Sequence, residues 1–133
     1  YLGEVEDIKL ILIQAAMKEA VKGIETFSLK VEGMGVFPNE KNLKILWAGI
    51  VGNRRKLNQL YQQIVTAVDK KKLPYDAKPV YKPHLTLARK IKDGLAHKEM
   101  KLSSSSWKVD SLGLYQSVSH PTGVQYKKIF AIK

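Results

Sequence analysis

The sequence predicts an α+β fold built on antiparallel sheets. Three observations carry that prediction. Helical and strand-like periodicities both occur in the 133 residues, in the order helix, two strands, helix, three strands. No regular strand–helix–strand alternation appears, as a parallel sheet would need. The first and last strand pairs are joined by short turns, which suit antiparallel neighbours. The length fits a single domain over residues 1–133, and 44% hydrophobic content is enough for a core.

Each element has its own warrant. Ile8, Ile11, Leu12, Ala15, Ala16 and Ala20 repeat at helical spacing, so residues 7–22 are expected to form an amphipathic helix with that stripe buried, ending at Gly23. Phe27, Leu29 and Val31 alternate with Ser28, Lys30 and Glu32, the pattern of a half-buried strand. "GMG" followed by "FPNE" marks a turn or a bulge, and "LKILWAGIV" (43–51) is a second, mostly apolar strand. Asn53 is suited to cap a helix whose inner stripe is Leu57, Leu60, Tyr61, Ile64 and Val68. Residues 70–83, with three consecutive lysines and three prolines, form a long loop, a kind of segment that is often functional. "HLTLAR" is a strand, and residues 90–106 are polar and irregular. Residues 107–117 form a strand with an irregularity near Asp110. "SHPTG" turns the chain into a terminal strand, "YKKIFAIK".

Composition narrows the chemistry. The absence of cysteine excludes disulfides, thiolate catalysis and zinc–thiolate sites, and fits a reducing cytoplasm, the expected location. No apolar run of about 18 residues is present, so no membrane span is expected. The opening "YLGEVEDIK" lacks a basic region and a long apolar run, so it does not read as a signal peptide. Net charge is +11. Residues 70–101 carry ten Lys/Arg against three Asp/Glu, +7 of that total. The expected partner is anionic, nucleic acid first and an acidic membrane surface second, although a lysine-rich solvated surface would give the same charge.

Three histidines, His84, His97 and His120, show no i,i+4 pairing, so no metal is expected. No glycine-rich phosphate loop and no G-x-S-x-G nucleophile turn occurs. What remains is "KPHLTLAR" (82–89). Residues i and i+2 of a strand share a face, so His84 and Thr86 present an imidazole and a hydroxyl about 7 Å apart. An imidazole exchanges protons near neutral pH, and a hydroxyl donates to a phosphate oxygen. Leu85 and Leu87 would then point into the core. Arg89 would join the His84/Thr86 face only if the strand has a bulge before it, and there it could pair with phosphate. Trp47 reads as core more readily than as a stacking surface. His120 reads as a turn residue and His97 as solvated.

"PHLTLAR" resembles the second signature of the two-histidine (HxTx) phosphoesterases, in particular the RNA 2′,3′-cyclic phosphodiesterases historically called 2′–5′ RNA ligases. "ILWAG" (45–49), "LGLYQS" (112–117) and "YKKIFAI" (126–132) resemble further family strands in the same order. The resemblance implies two lobes of antiparallel sheet with flanking helices around a central cleft. It implies hydrolysis of RNA 2′,3′-cyclic phosphate ends to 2′-phosphates without a cofactor, with reversible 2′–5′ ligation. Two histidines serve as acid and base and two threonines hold phosphate oxygens. Carried onto this chain, His84 is the general base and Thr86 a phosphate ligand. Arg89, Lys82, Tyr115 and Ser117 are candidates to bind substrate, Tyr115 by stacking on a base, with Lys78 beside Lys82 on the RNA backbone. The family has two HxTx motifs, and "YLGEV" (1–5) resembles the tail of the first. The expectation is therefore an N-terminally incomplete domain, lacking the first motif and weak or inactive alone. It is expected to be a monomer, with a dimer through exposed edge strands as the alternative. A non-catalytic basic RNA-binding module on the same fold is the competing reading. A relative acting on another cyclic phosphate is a third.

Overall fold

In the computed structural model, residues 1–39, 42–77, 80–91 and 101–133 are described. A short 3₁₀ turn (Asp7–Lys9) leads into α1 (Leu10–Ala20). β1 (Phe27–Asn39), β2 (Asn42–Gly52), α2 (Arg54–Lys70), β3 (His84–Arg89), β4 (Trp107–Val109), β5 (Leu112–His120) and β6 (Gly123–Ile132) follow. Every strand pairing is antiparallel. Strands β3-β2-β1-β4 form one sheet in that order, and β5-β6 form a hairpin. The α+β antiparallel class is therefore the observed one.

The chain divides into two compact units. The first comprises Tyr1–Thr26, Lys56–Lys78 and Asp110–Lys133. Its core joins Ile13, Ala16, Met17 and Ala20 of α1 to Ala67 and Val68 of α2 and to Leu73. Leu112 and Leu114 of β5 and Phe130 and Ile132 of β6 pack against that cluster. The second comprises Phe27–Arg55 and Pro79–Val109 and holds the four-stranded sheet. Phe27, Leu29, Leu46 and Ala48 are buried on one face of this sheet.

Two expectations change, for α1 and for residues 107–117, and a third is made specific. The buried stripe of α1 is Ile13, Ala16, Met17 and Ala20, whereas Ile8 and Ile11 are 81% and 76% exposed. The run "LILI" is apolar on every side, so spacing alone does not fix which face turns inward, and small Ala16 and Ala20 allow the closer approach. Of the turn or bulge expected at the Gly-Met-Gly segment, the structure has the bulge, and it does not end β1. Gly33 adopts φ +74° within a bulge between Val31 and Met34, and pairing with β2 then resumes. The Gly33 amide donates to the Leu102 carbonyl at 2.9 Å, so the bulge's turned-out amide is satisfied. Residues 107–117 are two strands in two sheets, and the irregularity expected at Asp110 is the point where the chain changes sheet. The expected stripe of α2 fits: Leu60 and Val68 are buried and Leu57, Tyr61 and Ile64 half-buried, with Ala67 added. No helix among the described residues is long and apolar enough to cross a membrane.

Glu19 of α1 receives Lys70 Nζ at 2.8 Å and Lys71 Nζ at 3.4 Å, joining the two helices of the first unit. The hydrogen bond from Lys70 and its charge, then Lys71, lower the Glu19 pKa below its ordinary value. A carboxyl with a lowered folded pKa adds stability that is fully present above the unfolded value, near 4.5, and is lost as pH falls through the folded one. The urea midpoint of Glu19→Gln should thus lie below that of the parent at pH 7, and the two should converge at pH 3. Because the pair is solvent-exposed, the difference should be small and should shrink in 1 M salt.

Candidate active site

The register between β2 and β3 builds the site. Gly49 pairs with His84, Ala48 with Leu85 and Trp47 with Thr86; then the register slips, and Leu46 pairs with Ala88 and Ile45 with Arg89. Leu87 is the extra residue. In an uninterrupted strand, residue 89 would face away from residues 84 and 86. The bulge at Leu87 reverses that and returns Arg89 to the face of His84 and Thr86, the condition the sequence had set. All three side chains are exposed. The opposite face carries Leu46 and Ala48, buried one strand inward. The expectation that Leu85 and Leu87 would be core is corrected, for they are 49% and 48% exposed. β3 is the outermost strand of its sheet, and the bulge leaves Leu87 without a cross-strand partner.

His84 is oriented by two contacts. Its Nδ1 lies 2.6 Å from the Lys82 carbonyl oxygen. A carbonyl only accepts, so Nδ1 carries a hydrogen and Nε2 is left with the lone pair in the neutral ring. Its ring also meets Phe37 edge-to-face, with centroids 5.1 Å apart and planes at 84°.

Phe37 is stacked in turn on Trp47, at 5.1 Å and 28°, and Trp47 lies 6.4 Å from the His84 ring. The expectation that Trp47 is core is corrected. As the cross-strand partner of Thr86 it lies on the site face, half-buried. Gly35, opposite Trp47 on β1, makes room for the indole, since a β-carbon at Gly35 would collide with Trp47 Cζ2. The sequence reading passed over Phe37. The alternation of Gly35 and Phe37 on one strand with Trp47 and Gly49 on the next was the available signal, because glycines opposite and beside a tryptophan mark space for a flat ring. Lys82 Nζ stands 5.7 Å from the Phe37 centroid, on the same side of the unit as His84.

The remaining candidates belong to the first unit. Tyr115 and Ser117 share a face of β5, opposite Lys128 and Tyr126 of β6. Lys128 Nζ is 5.7 Å from the Tyr115 ring centroid, and the Tyr115 ring lies back over Gly113. His120 pairs with Gly123 across the β5–β6 turn. Lys78 and His97 lie outside the described residues. The structure thus brings His84, Thr86, Arg89 and Lys82 together on β3 and its approach, and Tyr115 and Ser117 together on the hairpin.

Comparison with known proteins shows what the chain is similar to. A family model described as the 2′-5′ RNA ligase superfamily matches residues 4–121. The chain is 30% identical to an RNA 2′,3′-cyclic phosphodiesterase of Archaeoglobus fulgidus, over 97% of this chain and 73% of that protein. It is 27% identical to one from Thermotoga maritima, over 98% of this chain and 70% of that protein. Among solved structures, a Thermus thermophilus protein superposes with a TM-score of 0.74 at 23% identity, covering 98% of this chain and 72% of its own. A phosphoesterase crystal structure gives 0.69 at 20% identity, covering 99% and 72%. At these identities the structural matches show the shared fold.

Two measurements check the local geometry. In ¹⁵N NMR at high pH, His84 should be the Nδ1–H tautomer, and a dominant Nε2–H form would refute the Lys82 contact. Gly35→Ala should displace the indole, lowering stability by about 1–3 kcal/mol in urea titration and shifting the Trp47 emission.

Proposed function

The chain belongs to the 2′-5′ RNA ligase superfamily, and from that premise we propose that it opens RNA 2′,3′-cyclic phosphate ends to 2′-phosphates. The observation that carries this reading is the shared face of His84, Thr86 and Arg89, restored by the bulge at Leu87. The curated relatives named RNA 2′,3′-cyclic phosphodiesterase support the same activity. Residues 1–133 act as one phosphoesterase domain in this proposal.

The reaction is an in-line displacement. A water oxygen bonds to phosphorus while the bond from phosphorus to the ribose 3′ oxygen breaks. His84 Nε2, whose lone pair is left free by the Nδ1–H bond to Lys82, takes the proton of the attacking water. The Thr86 hydroxyl donates to a non-bridging oxygen, and the Arg89 guanidinium neutralises charge that grows on the phosphoryl group. Lys82 adds a further positive charge beside them. The leaving 3′ oxygen needs a proton, and the paired-motif resemblance assigns that role to a second histidine. With an RNA 5′-hydroxyl in place of water as the attacking group, the same displacement forms a 2′–5′ linkage, and its reverse regenerates the cyclic phosphate and the 5′-hydroxyl. For Tyr115 and Ser117, on the hairpin of the first unit, a substrate-binding role rests on the family resemblance alone.

The test is the rate of adenosine 2′-phosphate formation from adenosine 2′,3′-cyclic phosphate. His84→Ala should lower it by about 10²–10⁴-fold, as removal of an acid–base group does. Thr86→Val should lower kcat more than it raises KM. Unchanged turnover in His84→Ala would sink the catalytic assignment. The competing reading, a basic RNA-binding module without turnover, has one observation in its favour. His84 is the one imidazole on the described site face of β3. A chain that binds cyclic-phosphate RNA ends and leaves them intact would establish that reading.

A further inference from the structure

The geometry points to a nucleobase-stacking platform formed by Phe37 and backed by Trp47, which takes the base of the nucleotide whose phosphate lies at His84 and Thr86. This inference rests on the function proposed above and adds what that site recognises beyond phosphate. A phosphate-only site needs the imidazole, the hydroxyl and the cations. It has no use for two stacked rings within 5.1 and 6.4 Å of the imidazole.

Three features argue that the rings are held there for a ligand. The first is where they lie. Phe37 belongs to β1 and His84 to β3, with β2 between them, yet their rings touch. Phe37 therefore reaches across a strand toward the site. The second is the indole. Trp47 Nε1 is covered and has no hydrogen-bond partner among the described residues, a state that costs about 1–3 kcal/mol. An indole serving only as filler belongs on the buried face beside Leu46 and Ala48, whereas this one lies on the polar face. The third is Lys82. Its ammonium stands over the Phe37 ring and is exposed, so it holds the ring's approach with a group that water can readily replace. A base is flat, apolar on its faces and the right size to take that place. Lys82, once displaced, is two residues from His84 and free to meet the phosphate.

Stacking of this kind is tolerant of base identity, because every base offers a π-face. The platform thus predicts a preference for nucleotides over base-free sugar phosphates, with little choice among bases. The experiment uses the 133-residue chain with Trp107→Phe, so that Trp47 is the only tryptophan left of the two. Adenosine 2′-monophosphate and ribose 2-phosphate are titrated, following Trp47 emission and calorimetric heat. The nucleotide should bind about 5- to 100-fold more tightly than the sugar phosphate and quench Trp47. Phe37→Leu should remove that preference, read as the ratio of the two affinities measured in that variant. Phe37→Tyr, which keeps a flat ring, should retain the preference and shows that loss in the leucine variant is not misfolding. Equal affinity for the two ligands, or a preference that survives Phe37→Leu, overturns the platform. Failure of both ligands to bind overturns the phosphate site itself and with it the proposed function.

Discussion

The site depends on one pairing, that of β2 with β3. β2 is hydrogen-bonded on both sides, to β1 and to β3, so it transmits the register of the sheet to the strand that holds His84, Thr86 and Arg89. Strand faces alternate with a period of two residues. Without the slip at Leu87, the imidazole and hydroxyl would share a face and the guanidinium would lie behind it. With the slip, all three share one face of the sheet. A local irregularity in backbone pairing thus sets the charge of the site.

The same sheet separates two kinds of requirement. Its inner face is apolar and buries Phe27, Leu29, Leu46 and Ala48, which hold the strands together. Its outer face carries glycine, aromatic and polar residues that add little to burial. Gly35 and Gly49 would weaken a strand chosen for stability alone. Here Gly35 leaves room for the indole of Trp47, and Gly49 leaves room for the Glu32 carbonyl oxygen of the neighbouring strand. The orientation of His84 then comes from both sides, from a carbonyl two residues earlier in its own chain and from a ring two strands away.

Much of this was legible in the sequence, for identifiable reasons. The β3 residues were readable because a histidine and threonine two apart in a strand must share a face, and Arg89 was readable as a conditional. The sheet register that satisfied the condition was not, because bulge position depends on the partner strand. The inward face of α1 was misassigned, since "LILI" offers an apolar residue in every direction and the choice is made by what packs against it. Residues 107–117 look like one strand because both halves alternate. The two residues at the break, Asp110 and Ser111, do not say that the halves enter different sheets. Phe37 was missed because its contact with His84 crosses a strand, and no spacing along the chain encodes that. Trp47 was placed in the core because tryptophan usually is, and only its pairing with Thr86 assigns its face.

The bulge at Leu87 has a consequence for how such a strand can vary. Across β3, residue identity and residue count are separate kinds of information. Many side chains could stand at 87, because the position pairs with nothing across the strand. Removing the position altogether would leave the histidine–threonine motif intact to the eye and turn the arginine to the far side of the sheet. The spacing from histidine to arginine is therefore held by geometry, even where the letters between them are not. In this strand an insertion or deletion is a more severe lesion than most substitutions.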